Sequence, residues 1–532
     1  MRLNPGLSRS HTSVTVVPPA PGRVASMVAL HKISETAERK RPNQSAPPKV
    51  RRADCPEEEW MRKRFPRVLT PDAGRVFRVH NGSLVGFQSH YLLPRCLGLA
   101  GNEVDPWAYC PETSEYLHYD PERGIYVAAT EAQVESAIVS LLEECARTSG
   151  TRRPDALRSL QRREQITPLV KALRSVSVLP AATFEEHDAT CIHVRNGILN
   201  FRTLELEPFT PERPARTAVP IEWSPSALEP TRFLQFLDGM FRDPDDRLLV
   251  IRLIALALLG NPFQKVVILQ GRGGSGKSTL VKLMGAIVGE GAYGELRLEN
   301  SNGRFESARW MHKRLLAQLD ASQSVLQKNT HILKALSGQD RMQPELKGER
   351  THVTFVPRAL PVITTNADVH LRLEGDHEAW QRRLVILRTE APPPPRAIPD
   401  FERILVREEG PGILRLVAEQ ARNLLAAGEL PLSAAQRDRT EMFLAQADPV
   451  RAFVRNEVEA APGEYLYAEE AFRAAQSYVL EVGVDTLPAP NTLRALLGKE
   501  MEEIHGAHKS NSLPPRPGYS TKGWRNFRLR RA

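Results

Sequence analysis

The stretch Val266-Val267-Ile268-Leu269-Gln270-Gly271-Arg272-Gly273-Gly274-Ser275-Gly276-Lys277-Ser278-Thr279 runs from an apolar segment into a turn that fits G-x-x-x-x-G-K-[ST] at every fixed position. Residues 266–269 are too few for a helix and read as a short buried strand. Behind the turn, Leu280, Leu283, Met284 and Ile287 recur at helical spacing, so the turn opens a helix. Strand, glycine turn and helix together predict a nucleoside triphosphate site at a helix N-terminus. The cradle is expected to comprise Gly271, Arg272, Gly273, Gly274, Ser275, Gly276, Lys277, Ser278 and Thr279, with main-chain N–H groups closing on the phosphate oxygens. Lys277 can reach the outer phosphates as a point charge, and Ser278 offers a hydroxyl to Mg²⁺.

Gly271, Gly273 and Gly276 also satisfy G-x-G-x-x-G. A dinucleotide fold has no use for Gly-Lys-Ser-Thr, however, and needs an acidic strand end about 20 residues further on, where this chain reads Gly-Ala-Tyr-Gly-Glu-Leu. The triphosphate reading therefore prevails.

With 532 residues, the chain is too long for one core. The apolar run 248–259 is interrupted by Arg252 and falls short of a bilayer span, and the start lacks a signal-peptide core, so a cytoplasmic protein with no membrane partner is expected. Cys55, Cys96, Cys110, Cys145 and Cys191 show no C-x-x-C spacing and read as reduced thiols. Residues 1–80 hold 16 Lys and Arg against 7 Asp and Glu, while residues 504–532 hold 7 bases and no acid. Both ends are basic around a mildly acidic middle, which suits a polyanionic partner.

The organisation expected from these patterns is a basic disordered arm over 1–80, a mixed α/β domain over 81–230, a helical collar over 231–262, an α/β phosphate-loop core over 263–392, a helical segment over 400–447 and a last unit over 448–532. In the second of these, the segment around Asn196-Gly197 reads as a hairpin with Asn-Gly in its turn.

A triphosphatase also needs a carboxylate at a neighbouring strand end to hold the metal, and Leu315-Leu316-Ala317-Gln318-Leu319-Asp320 supplies Asp320. A second apolar strand, 360–365, ends at Asn366, within reach of a γ-phosphate or its attacking water. Downstream, Trp380-Gln381-Arg382-Arg383-Leu384 offers two guanidinium groups, either of which could act as an arginine finger on a neighbouring subunit.

In order and spacing, these segments resemble the superfamily 3 helicases of the phage, plasmid and poxvirus primase-helicase group. The resemblance rests on the 271–279 loop, the strand ending at Asp320, Leu333-Lys334-Ala335-Leu336-Ser337-Gly338-Gln339-Asp340, the strand ending Thr364-Thr365-Asn366, Arg382-Arg383-Leu384, and the upstream Val194-Arg195-Asn196-Gly197-Ile198-Leu199. It implies an AAA+ type core, ATP and Mg²⁺, a homo-hexameric ring, 3′-to-5′ movement on single-stranded or forked DNA, and a separate primase or initiator as partner. It also implies roles: Lys277 and Ser278 hold phosphate and metal, Asp320 completes the metal site, Asn366 senses the γ-phosphate, and Arg382 or Arg383 acts in trans. Pro344-Glu345-Leu346-Lys347-Gly348-Glu349-Arg350-Thr351 reads as a hairpin with Lys347 at its tip, where it would grip DNA backbone without reading bases.

Two features depart from that pattern. The acidic strand ends in one carboxylate, which leaves the water-orienting residue open, and no D-x-D follows an apolar strand, so primase chemistry is not expected. At the C-terminus, two helical segments (465–482 and 491–504, with Asn491 as N-cap) precede a basic ribbon, 518–529, which reads as a hairpin wing turning at Lys522-Gly523. Together they suggest a winged-helix-like DNA-binding unit with Lys522 and Arg525 as contacts. The competing readings are a replication initiator that uses ATP only as an assembly switch, and a small-molecule phosphate-loop kinase, which would need an acceptor pocket and a lid in place of basic ends.

Overall fold

Pro56 opens α1 (Pro56–Arg64), whose first turn carries Glu57, Glu58 and Glu59 and whose last turn carries Arg62, Lys63 and Arg64, charges that complement the helix dipole at both ends. The computed structural model describes residues 55–81, 83–184, 190–300, 306–322, 329–344, 354–366, 377–392, 398–484 and 487–530. Residues 56–80 correct the expectation of a disordered arm through residue 80. Met61, Phe65, Val68, Leu69, Val76 and Phe77 are buried in one core with Leu141, Leu142 and Cys145. Glu58, itself buried, accepts the Val76 and Phe77 backbone N–H groups, which anchors the following strand. Widely spaced apolars conceal this in the sequence, because they meet only after the chain has turned.

The first unit continues through β1 (Phe77–His80), β2 (Ser83–Phe87), α2 (Leu92–Leu97), β3 (Trp107–Cys110), β4 (Glu115–Asp120), β5 (Ile125–Ala129), α3 (Glu131–Thr148), α4 (Pro154–Ser159) and α5 (Arg163–Val176). Strands β3, β4 and β5 form an antiparallel sheet, and Thr130 starts α3 through a capping box with Gln133. The expected hairpin follows as β6 (Cys191–Val194) and β7 (Gly197–Asn200), extended by β8 (Leu206–Glu207). Its two-residue loop is Arg195-Asn196, one residue earlier than expected, and Gly197 opens β7. A Cβ at Gly197 would come within 2.5 Å of the Glu207 carbonyl oxygen, so this glycine serves the approach of β8 and not the turn. Ile192, Val194, Leu199, Phe201, Val219, Ile221 and Trp223 are buried with α6 (Thr231–Met240) and α7 (Pro244–Leu258). Residues on both sides of the division expected at residue 230 thus share one core.

The central unit contains β9 (Val266–Gly271), α8 (Lys277–Val288), β10 (Tyr293–Glu295), β11 (Leu315–Gln318), α9 (Thr330–Gly338), β12 (Leu360–Thr365), α10 (His377–Arg383) and β13 (Leu384–Thr389). The strands make a parallel sheet in the order β10-β11-β12-β9-β13. Alternate residues of each strand serve opposite faces: Val267, Leu269, Val362 and Val385 join the α7 and α8 side, while Val266, Ile268, Ile363 and Ile386 pack with Trp310, Leu333, Phe355 and Trp380. Burial on both faces explains the unbroken apolar runs. The helical segment expected over 400–447 is two helices, α11 (Phe401–Ala427) and α12 (Ala434–Ala447), separated at Gly428, whose φ of +71° ends the first. They cover different faces, α11 through Ile413, Leu414 and Val417, α12 through Phe443 and Leu444.

Buried Asp246 of α7 ties α12 in place. It accepts Arg439 through two bonds of 2.8 Å and Gln436 Nε2 at 3.0 Å. Asp246→Ala is expected to cost about 2–3 kcal/mol, because three charge-assisted bonds go while Arg439 can still turn to water. Urea unfolding measures this, and an unchanged midpoint would contradict the account.

The C-terminal unit runs α13 (Pro449–Glu457), β14 (Val458–Tyr467), α14 (Ala468–Glu481), α15 (Pro490–His505) and β15 (Gly523–Leu529) around Phe453, Leu466, Leu493, Met501 and Trp524. Residues 465–467 belong to β14 and not to the helix expected there, and Ala489, not Asn491, occupies the N-cap position of α15 without a side-chain cap bond, with Pro490 in the first turn. The ribbon is also corrected: Lys522-Gly523 is no hairpin tip. β15 pairs antiparallel with β14, while Ser510 bridges Gly523 and Leu513 N–H donates to the Thr521 carbonyl, so the loop tip falls between 513 and 521. No helix among the described residues is long and apolar enough to cross a membrane.

Candidate functional site

The glycine loop leaves β9 at the carboxyl end of the sheet and enters α8 through Gly276. Gly274 (φ +81°) and Gly276 (φ +87°) occupy the left-handed region that glycine enters without strain. Gly271 is required by proximity, since a Cβ there would lie 2.5 Å from Thr389 Cγ2. The N-cap Gly276 has no capping side chain and the first turn of α8 carries no acid, so nothing on the helix itself opposes an anion at its N–H groups. Ser275 Oγ, buried in the loop, has no hydrogen-bond partner among the described residues. Lys277 Nζ donates to the Gly271 and Arg272 carbonyls, both at 2.8 Å. Burial pushes this ammonium below the ordinary lysine range, and the Asp320 carboxylate pulls it partly back.

Asp320 lies two residues beyond β11, in the left-handed region at φ +51°, where Asp is among the few tolerated side chains. Its backbone N–H donates to Thr364 Oγ1 at 2.9 Å, and Asn366 Nδ2 donates to Asp320 Oδ1 at 3.1 Å. Because β12 lies between β9 and β11, Asn366 emerges between the loop and Asp320. Lys277, Asp320 and Asn366, far apart in sequence, therefore share one end of the sheet. A cationic loop, an exposed carboxylate and an amide suit a phosphate group with its metal ion. Ser278, at the start of α8, stands on the same side.

Arg382 and Arg383 are not brought to this group. They end α10 just before β13, where Leu384 pairs with Val266, at the opposite end of the sheet. Five strand steps separate that end from Gly271, roughly 17 Å. Arg382 is exposed and donates to Gln264 Oε1 at 3.3 Å, while Arg383 donates to its own helix at the Ala379 carbonyl, 3.1 Å away. Lys347 lies outside the described residues. Met342 and Phe355 are joined by backbone bonds of 2.9 and 3.0 Å.

Three supporting residues escaped the sequence reading. Thr364, fully buried, positions Asp320; Thr389 Oγ1 donates to the Met240 carbonyl at 3.0 Å; and Met240 packs beside Gly276. Thr364 and Thr389 stand at the ends of apolar strands, but their spacing alone gives no hint of their partners.

In the C-terminal unit Lys522 and Arg525 are exposed. Burial lowers the Lys509 ammonium, and Lys522 and Arg494 lower it further, so three cations share one face. Arg525 is engaged with the Ser512 carbonyl at 2.6 Å, and Arg528 is held by Glu459 and Glu464.

A family model described as "D5 N terminal like" matches residues 87–242, and one described as "Family of unknown function (DUF5906)" matches residues 269–383. Both are typical of phage and plasmid primase-helicase proteins. No curated protein matches the chain. Among solved structures, the chain is similar to one described as "The apo structure of NrS-1 C terminal region (305-718)", with 11% identity, TM-score 0.44, and coverage of 76% of this chain and 88% of that one. A second, "The A form apo structure of NrS-1 C terminal region-CTR", has 11% identity, TM-score 0.44, and coverage of 79% and 96%.

Proposed function

We propose that this chain is an ATP-driven DNA helicase of a phage or plasmid replication system, with a phosphate-loop core of the AAA+ type working as a ring. The observation that carries the reading is the polarity of the sheet: loop, Asp320 and Asn366 stand at one end and Arg382 and Arg383 at the other. Arginines about 17 Å away along a strand cannot complete their own site, but they suit the site of a neighbouring copy. The six-fold ring and 3′-to-5′ direction follow from the family resemblance.

Mg²⁺, held by Ser278 and Asp320, would neutralise charge on the phosphate oxygens. The chain's own groups do the rest. Lys277 and the α8 N–H groups orient the triphosphate, Asn366 holds the Asp320 carboxylate and reaches the terminal phosphate, and an arginine from the adjacent subunit offsets transition-state charge. The C-terminal unit is read as winged-helix-like, with Arg494, Lys509 and Lys522 as its backbone-contacting face; Lys347 is the further contact proposed on the sequence alone.

Single-stranded DNA is expected to raise the ATPase rate, and a forked duplex should be separated only when ATP and Mg²⁺ are present. Hydrolysis indifferent to DNA would favour a kinase, whereas ATP-dependent DNA binding without strand separation would favour an assembly switch.

A further inference from the structure

At the amino end of the central sheet, away from the glycine loop, the chain surrounds a cavity of about 290 Å³. Its walls come from β6 and β7, residues 213–219, the last residues of α7 and α8, and the residues leading into β11 and β12. Arg213, Arg216, Lys313, Arg314 and Arg358 line it, with His312, and no Asp or Glu is among the described lining residues. Part of that charge is met from outside, since Arg213 lies 2.7 Å from Glu207 and Arg216 lies 3.1 Å from Glu115. Arg314 faces a second guanidinium, Arg358, and its Nη1 is sealed from solvent with no hydrogen-bond partner among the described residues. Burial pushes Arg314 down to about 10 and His312 down to about 4.

Like charges held together in a poorly solvated pocket repel, and an unpaired buried donor loses its hydration without return. A multiply charged anion relieves both. The guanidinium forks of Arg314 and Arg358 match phosphate oxygens, and a carboxylate would bring only one charge to a wall carrying several. The cavity is at the small end of ligand sites. It adjoins a crevice of about 740 Å³ that shares Arg216, His312 and Lys313 and adds Tyr293 and Met311 together with Glu115 and Glu295, whose carboxylates leave it to the uncharged part of a nucleotide. We propose that this cavity is a second anion site, taking a phosphate-bearing ligand through Arg314, Arg358 and Lys313. Its geometry is independent of the glycine loop: α8 has Lys277 at one end and Val288, a cavity wall, at the other, roughly 16 Å apart.

The test uses the full chain carrying Lys277→Ala, so that binding at the loop is suppressed, with calorimetric titration of inorganic pyrophosphate at physiological salt. One pyrophosphate per chain is expected, and adding Arg314→Gln with Arg358→Gln should weaken binding at least tenfold. Arg314→Lys, which keeps the charge and loses the fork, should weaken it less and guards against a double variant that does not fold. A 5′-phosphorylated oligodeoxynucleotide is the second arm: competition with pyrophosphate supports the site with a nucleic-acid phosphate as its source, and no competition supports it with a free nucleotide. Absence of pyrophosphate binding in the Lys277→Ala chain, or affinity unaltered by the arginine changes, overturns the proposal.

Discussion

Lys277→Ala is expected to lower ATP turnover by at least about 10²-fold while leaving the fold intact, the scale of losing one electrostatic donor from a water-poor site. Lys277 is the first residue of α8 and buried, so its ammonium has little water to surrender when a phosphate oxygen replaces the two loop carbonyls it now bonds. Alanine keeps the helix and removes a charge that burial disfavours, so the thermal midpoint should hold or rise. The charged form is the one that attracts phosphate. Since the ammonium titrates below the ordinary lysine range, wild-type hydrolysis should decline as pH rises toward that lowered value. Lys277→Arg, permanently charged, should lack that decline whatever its absolute rate. A coupled ATPase assay across pH, with melting curves, reads all of this. Turnover within threefold of wild type in the alanine variant would remove the glycine loop from the chemistry.

What the sequence disclosed about this site was disclosed by local pattern. The 266–269 run, the glycine turn and the helical spacing of Leu280, Leu283, Met284 and Ile287 each depend on neighbours within a few residues, and β9 and α8 form where that spacing put them. Apolar runs ending near Asp320 and Asn366 likewise became β11 and β12. The strand order that brings these residues side by side is a long-range property, and only the resemblance hinted at it. The errors have the same origin. Glycine after lysine in a basic ribbon has the local look of a turn at Lys522-Gly523, but β15 finds its partner in β14, more than fifty residues upstream. Residues 56–80 looked too polar for a core because Met61, Phe65 and Val68 gain an apolar neighbourhood only when α3 is laid across them. The basic cavity was invisible for a further reason: Arg213, Arg314 and Arg358 come from three separate segments, each unremarkable as a charged position on its own.

The other large effect concerns Arg382. Arg382→Ala is expected to lower hydrolysis by about 10³-fold or more, the range of a removed arginine finger, with ATP binding retained. Of the two candidates, Arg382 is exposed at the end of α10, whereas Arg383 turns back to the Ala379 carbonyl and its Nε is sealed without a partner among the described residues. Arg383→Ala should therefore act more on the packing of α10 than on chemistry, with a lower melting midpoint and a smaller loss of rate. Action across a subunit boundary has a signature that loss of rate alone lacks. Lys277→Ala chains keep Arg382 and have no working loop; Arg382→Ala chains keep the loop and have no finger. Mixed and allowed to exchange, the two inactive proteins recreate intact seams wherever a Lys277→Ala subunit offers Arg382 to the loop of an Arg382→Ala neighbour. In a randomly assorted equimolar ring about a quarter of the seams are of that kind, so activity should return to a fraction of wild type and vanish again under dilution that separates subunits. A mixture no more active than its parts would mean that the arginine end of the sheet and the glycine-loop end never meet across an interface, and the ring reading would fall with it.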